Sequence, residues 1–301
     1  MYSIQNLGDA RIQHMNRDSM SWHIGPAVFV ILGLLIPAMS ASAQSRATGP
    51  HTTVTLLANR DSATTGERLW IGLQFQMEKG WHIYWVNPGD SGEPPKVQWQ
   101  LPVGFHVGEI EWPAPEKLTA PSIVDYGYEN EVLLMAPLSV PANLKSNGSQ
   151  TLGAKVDWLV CREMCIPGKA QLSLTLPVNA PSSKASGAAS TAALFRQARA
   201  RIPSPTPATW KVSATSEKDD FVLTVETGKQ ETAATFFPFE AEQIKNDAMQ
   251  AATPFSRGVR LKLQKSDGLL KSIAQLRGVL ELGPGRAYQI ATPVHAATTG
   301  N

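Results

Sequence analysis

Short runs in which apolar and polar residues alternate, broken at close intervals by glycine or proline, narrow the possible folds of this chain more than any other feature. Val54 and Leu56, then Leu69, Ile71, Leu73 and Phe75, follow a period of two, and so do Phe221, Leu223 and Val225 and later Val259, Leu261 and Leu263. That period puts alternate side chains on opposite faces of a strand, whereas a helix buries residues three and four apart. No long stretch with helical spacing occurs between Thr52 and Val178. The sequence therefore predicts an all-β protein. Its 23 glycines and 22 prolines suit frequent turns, and a 43% hydrophobic content with eight tryptophans is enough for real cores.

The 27 basic and 25 acidic residues leave a formal charge of +2, without the concentrated basic excess of a nucleic-acid binder. No nucleic-acid partner is expected. Neither a phosphate-cradling loop nor a dinucleotide fingerprint occurs, so no nucleotide cofactor is implied. Near the start, Arg11 and Arg17 precede an apolar run from Ile24 to Met39 that ends in Ser40-Ala41-Ser42-Ala43. This is the pattern of a cleaved secretory leader. Residues 1–43 are expected to be removed, so that the mature protein begins near Gln44 and works outside the cytoplasm. A retained anchor is the alternative, disfavoured because the run holds Pro26 and Pro37 and falls short of the roughly 20 residues that span a bilayer.

Past the leader, residues 44–179 read as one β domain and 210–295 as a second, smaller one in the size range of an immunoglobulin-like sandwich, followed by a tail at 296–301. Between them, 180–209 is rich in Ser, Ala and Pro. Its helix formers gather from Ala188 to Arg201, ahead of Pro203, Pro205 and Pro207, which predicts a linker carrying one short helix.

The chain has two cysteines, in the run Trp158-Leu159-Val160-Cys161-Arg162-Glu163-Met164-Cys165-Ile166-Pro167. Alternating segments flank them on both sides. In an extended chain their Cα atoms would be about 13 Å apart, whereas a disulfide requires roughly 4.4 to 6.8 Å, so pairing requires a hairpin end. A loop this short adds only about 2 kcal/mol as a cross-link, against nearly 5 for a loop of about 100 residues. The residues alone leave three readings open: a passive hairpin disulfide, a redox-active couple, or a soft-metal site in which Cys161, Met164 and Cys165 bind Cu(I).

A resemblance bears on that choice. Gly80-Trp81-His82-Ile83-Tyr84-Trp85-Val86-Asn87-Pro88-Gly89-Asp90-Ser91-Gly92, then Pro94-Pro95, Trp112-Pro113, Asp125-Tyr126-Gly127-Tyr128 and finally Cys161 to Pro167 resemble the N-terminal periplasmic domain of DsbD-type thiol:disulfide interchange proteins, including the copper-tolerance branch called ScsB. The order and spacing run through most of residues 52–178. The resemblance implies an immunoglobulin-like sandwich with one redox pair, Cys161 and Cys165, acting as a component of a protein-disulfide reductase system in the periplasm. It implies two kinds of partner, a membrane-embedded DsbD-like electron donor and periplasmic thioredoxin-like proteins. It also implies a cap loop at Val124 to Tyr128, comprising Asp125, Tyr126, Gly127 and Tyr128, with Tyr126 or Tyr128 as the lid over the pair. Cys165 takes the position that forms mixed disulfides with partners. The chain departs from the better-known members in having three residues rather than five between its cysteines. Nothing in it resembles the membrane conduit or the thioredoxin domain of DsbD proper, so the donor is expected to act in trans. The segment around Phe236-Phe237-Pro238-Phe239-Glu240 resembles the second β module of longer relatives.

Other patterns carry less. Gly89-Asp90-Ser91-Gly92-Glu93-Pro94 approaches the nucleophile motif of chymotrypsin-like proteases, but Ser91 lies too early in the chain and Glu93 replaces a glycine, so a turn is expected there. The six histidines, His14, His23, His51, His82, His106 and His295, show no ligand spacing and read as surface or core residues. Trp70, Trp81, Trp85, Trp99 and Trp112 read as core rather than as a stacking groove.

Overall fold

The computed structural model describes residues 45–121, 123–144, 148–179 and 189–297. The expected leader and most of the expected tail lie outside the described residues. The first half holds β1 (Arg46–Gly49), β2 (Thr52–Ala58), β3 (Ala63–Thr64), β4 (Arg68–Met77), β5 (His82–Gly89) and β6 (Lys96–Gln100). Then follow β7 (His106–Val107), β8 (Glu116–Ala120), β9 (Ile123–Glu129), β10 (Glu131–Ser139), β11 (Gly148–Cys161) and β12 (Cys165–Asn179). The one helix among the described residues, α1 (Ala189–Ala200), precedes β13 (Ser204–Pro205), β14 (Lys211–Ser216), β15 (Asp220–Glu226) and β16 (Thr235–Pro238). The chain closes with β17 (Ala251–Phe255), β18 (Gly258–Gln264), β19 (Gln275–Glu281) and β20 (Ala287–Ala296).

Two sheets make the first β domain. One runs in the order β1-β2-β4-β10-β7, and the other in the order β3-β12-β11-β5-β9-β8, with β6 also paired to β11. Their apolar faces meet in one core, where Val54, Leu56, Ile71, Leu73 and Phe75 of the first sheet face Ile83, Leu152, Val156 and Val160 of the second. The alternation in β2 is strict: Thr52, Val54, Leu56 and Ala58 are buried, and the residues between them are not. The strands are those expected from the period of two, and their arrangement is the sandwich that the resemblance implies. The second β domain is built on an eight-stranded sheet in the order β16-β19-β20-β14-β15-β18-β17, with β13 added beside β20. It has its own core around Phe221, Leu223, Leu261, Leu280 and Ile290.

The helix falls within the stretch where helix formers gather, and it does more than bridge. Phe195 and Ala198 are buried against Leu133 and Met135 on the outer face of the first sheet. Gly72 makes room for them, since a Cβ there would lie 3.1 Å from the Phe195 ring. Arg199 sits over the Trp70 ring at 4.3 Å.

The two β domains also touch directly. Phe237 and Val279 of the second join the hydrophobic core of the first. Trp85, fully buried, packs against Phe237 and Phe239 with ring centroids 6.5 and 5.3 Å away. Burying an aromatic of this size is worth about 1.5 to 3 kcal/mol, so the contact is a substantial one. Asn87 adds polar anchorage by donating from Nδ2 to the Pro238 carbonyl at 2.8 Å. The segment around Phe237, singled out in the sequence without a role, is therefore the face through which the second domain meets the first.

Candidate functional site

Strands β11 and β12 form a long hairpin whose register runs from Gly148 opposite Val178 to Cys161 opposite Cys165. Directly opposed positions in an antiparallel pair bring side chains close. The two cysteines close the ladder as a disulfide, with Cα atoms 4.2 Å apart. Arg162, Glu163 and Met164 form the turn beyond them and are exposed, Met164 by 67%. Below the pair, Trp158 and Val160 are buried, and the Trp158 indole lies so close over Gly168 that a Cβ there would be 2.2 Å from it.

The sulfurs differ in surroundings. Cys161 is 2% exposed, whereas Cys165 is an exposed residue. The Tyr84 hydroxyl lies 3.4 Å from the Cys165 Sγ. Gly92, at φ 75°, sits over the ring of Tyr84, where a Cβ would come within 2.1 to 2.5 Å of three ring carbons. That close approach is why a glycine with left-handed backbone stands there. Gly89, at φ 90°, lets the same turn pass against the Val124 carbonyl. The Gly89 to Gly92 segment is thus a turn, as the sequence indicated, and Ser91 donates from N and Oγ to the Asp125 carboxylate at 2.9 and 2.8 Å.

A cleft of about 560 Å³ opens beside the disulfide, walled by His82, Tyr84, Ser91 and Asp125, by residues 118–121 at the end of β8, and by Ile123 of β9. The structure corrects the expected lid. Val124 to Tyr128 is not a loop but part of strand β9, and the strand's alternation sends its tyrosines away from the sulfurs. Ile123, Asp125 and Glu129 line the cleft. Tyr126 instead donates its hydroxyl to Asn246 of the second domain at 2.9 Å, and Tyr128 donates to the Pro113 carbonyl at 2.8 Å. Both phenols are buried, which pushes their pKa values up. Asp125 is the one side chain of the four expected cap residues that faces the pair; Gly127 lies against the Ile83 carbonyl and the Leu118 side chain.

His82 is a site residue that the sequence reading passed over. It pairs with Cys161 on one side and with Glu129 on the other, and its ring meets Tyr84 edge-on at 5.3 Å. Its Nε2 is buried without a hydrogen-bond partner. Burial holds its pKa below the ordinary value, opposed by the nearby carboxylates of Asp125 and Glu129. Burial pushes the Asp125 carboxyl up, opposed by the two hydrogen bonds from Ser91 and by His82. In the unfolded chain a histidine takes up its proton as pH falls through about 6.5, while the folded protein resists doing so. The stability given by a neutral His82 is therefore present above that range and is lost as pH falls toward the folded value. Asp125 acts the other way, since its contribution is complete at low pH and is lost as pH rises through its raised value. Melting temperature should consequently fall less steeply between about pH 7.5 and 5.5 in His82→Asn than in the wild type, as followed by circular dichroism; identical slopes would remove His82 as the cause.

At the far side of the turn, Trp81 is stacked by His51 at 3.8 Å and carries Arg162 over its ring at 5.4 Å. Trp81, Trp85 and Trp158 are core, as expected, while Trp70, Trp99 and Trp112 are half-buried. Among the described residues no cluster of three or more His, Cys, Asp or Glu side chains is placed to hold a metal ion. In the disulfide form the two cysteine sulfurs of the alternative Cys161, Met164 and Cys165 set are joined to each other rather than free as thiolates.

The first β domain is thus an immunoglobulin-like β-sandwich that presents one disulfide at a hairpin end, with one sulfur exposed beside a cleft. Residues 53–177 match the family described as thiol:disulfide interchange protein DsbD, N-terminal. The N-terminal periplasmic domain of ScsB from Proteus mirabilis shares the fold with a TM-score of 0.64 at 19% identity, over 84% of this chain and 98% of that one. The periplasmic chaperone SfaE and the tandem Ig repeats of Dlar align far more loosely, with TM-scores of 0.22 and 0.24 at 10% identity. These cover 81% of this chain in each case, and 99% and 97% of theirs. No curated protein matches the sequence.

Proposed function

We propose that this is an exported thiol–disulfide interchange protein that passes reducing equivalents through Cys161 and Cys165, from a membrane-embedded DsbD-like donor acting in trans to periplasmic thioredoxin-like proteins. The observation that carries the reading is the asymmetry of the pair, with Cys161 2% exposed and Cys165 exposed beside the cleft. Attack by a thiolate requires an accessible sulfur and a leaving thiolate. In the receiving half-reaction a donor thiolate attacks the Cys165 Sγ, the Cys161–Cys165 bond breaks, and Cys161 leaves as the thiolate. The donor's second thiolate then resolves the mixed disulfide, and two electrons now reside on the pair. In the delivering half-reaction the Cys165 thiolate attacks a partner disulfide, and Cys161 resolves the intermediate and restores the starting bond. The Tyr84 hydroxyl, 3.4 Å from the Cys165 Sγ, is placed to donate a hydrogen bond to the thiolate while Cys165 is reduced.

The reading treats residues 1–43 as a removed leader and residues 44–179 as the redox domain. The described residues contain no helix long and apolar enough to cross a membrane. The reduction potential of the couple tests the function. A value between about −120 and −230 mV, the range of exchange proteins, is the expected result, and one below about −300 mV would mark a structural disulfide and overturn the reading.

A further inference from the structure

The two faces of β9 serve different partners. Asp125 lines the cleft of the cysteine pair, whereas Tyr126, its neighbour, is buried and donates its phenolic proton to the Asn246 Oδ1 at 2.9 Å. The Nδ2 of the same Asn246 donates to the Asp90 Oδ1 at 2.7 Å. Asp90 accepts the Val124 N–H through Oδ2 at 2.8 Å and donates its own N–H to the Val124 carbonyl at 3.1 Å. Next to it, Ser91 holds the Asp125 carboxylate through N and Oγ at 2.9 and 2.8 Å. One side chain of the second β domain thus closes a ring of hydrogen bonds around the Asp90–Ser91 turn and the Val124–Tyr126 segment. Each of these carries a residue of the cleft.

Asparagine suits the position because a single amide donates and accepts at once. An aspartate there would face the carboxylate of Asp90, and an aliphatic residue would take away the Tyr126 hydroxyl's acceptor and the amide donor to the Asp90 Oδ1, leaving Asp90 only its bonds to Val124. Asn246 is only 9% exposed, and the Tyr126 ring it meets packs edge-on against Phe237 of the second domain at 5.3 Å. The network runs from the buried Tyr126 and Asn246 out to the exposed Asp90, and a hydrogen-bonded polar network of this kind favours one arrangement over its alternatives.

We propose that the second β domain is a positioning element for the redox site, and that Asn246 is the positioning residue through which it holds the Asp125 wall of the cleft beside the cysteine pair. The inference rests on reading Cys161 and Cys165 as the exchange couple. It assigns the second domain a task at a site to which it contributes no lining residue. When Asn246 is lost, the Tyr126 phenol and the Asp90 carboxylate turn to water, the wall moves off its resting position more often, and small thiols reach Cys165 more readily.

The test is the rate at which dithiothreitol reduces the disulfide in the wild-type protein and in Asn246→Ala, Tyr126→Phe and Arg286→Gln. Asn246→Ala removes two hydrogen bonds, one of them to a carboxylate, and should react about tenfold faster. Tyr126→Phe removes one and should react about threefold faster. Arg286→Gln breaks the ion pair with Glu231 inside the second domain, and should lower the melting temperature without changing the rate. Wild-type rates in both Asn246→Ala and Tyr126→Phe would overturn the proposal. So would an equal acceleration in Arg286→Gln, which would mark general loosening. If Asn246→Ala does not fold, Tyr126→Phe against Arg286→Gln decides. A potential in the structural range would defeat the exchange reading by itself, whereas the ratio of rates reports whether Asn246 holds the wall in either case.

Discussion

Cys161→Ala should trap a stable mixed disulfide with thioredoxin-like partners, and Cys165→Ala should trap none, although each variant keeps one thiol. The reason is geometric. In Cys161→Ala the surviving sulfur is the exposed one beside the cleft, next to the Tyr84 hydroxyl, and the resolving thiol that would release the partner is gone. In Cys165→Ala the surviving sulfur sits at 2% exposure at the end of β11, opposite His82, where an in-line approach is blocked by the protein itself. The difference should be all-or-none on a non-reducing gel after incubation with an oxidised partner. Equal trapping by the two variants would mean that the exposure difference does not decide which sulfur reacts.

A large loss of stability is expected from Gly92→Ala. Its φ of 75° costs a side-chain-bearing residue about 1 to 2 kcal/mol. The added Cβ would also lie 2.1 Å from a ring carbon of Tyr84, which is fully buried and has nowhere to turn. Overpacking of this kind costs about 1 to 3 kcal/mol more, so the variant should melt roughly 5 to 15 °C lower. Gly228→Ala is the matched control. Gly228 has a φ of 93° but open space around it, so only the backbone term applies and its melting temperature should fall by about 2 to 6 °C. If the two variants melt alike, the contact with Tyr84 is not what requires glycine at position 92.

Much of the architecture was legible because it follows from local pattern. The period of two in β2, β4, β15 and β18 carried the all-β class, and the two alternating segments around Cys161 and Cys165 implied the hairpin end that β11 and β12 form. What escaped the sequence depends on pairing between distant segments. His82 stands beside the pair because β5 meets β11 at residues 79 positions apart, and no spacing signal announces that register. Tyr126 or Tyr128 is the lid that the resemblance implies, yet the direction of both depends on which face of β9 turns toward the sulfurs, and a motif alone does not state it. Asn246 contacts Asp90 from 156 positions away, and nothing near Asn246 in the sequence distinguishes it from an ordinary loop asparagine.

The opposed duties of neighbouring residues in β9 restrict how its length can vary. Asp125 belongs to the sulfur side and Tyr126 to the domain contact, and successive strand residues always point opposite ways. Deleting or inserting one residue ahead of Asp125 would exchange the two faces at once, swinging a carboxylate into the packed aromatic contact with Phe237 and a phenol out over the disulfide. A change of two residues would keep the faces in phase. Length variation tolerated in this strand should therefore come in even steps, as should any loop graft used to re-engineer the cleft.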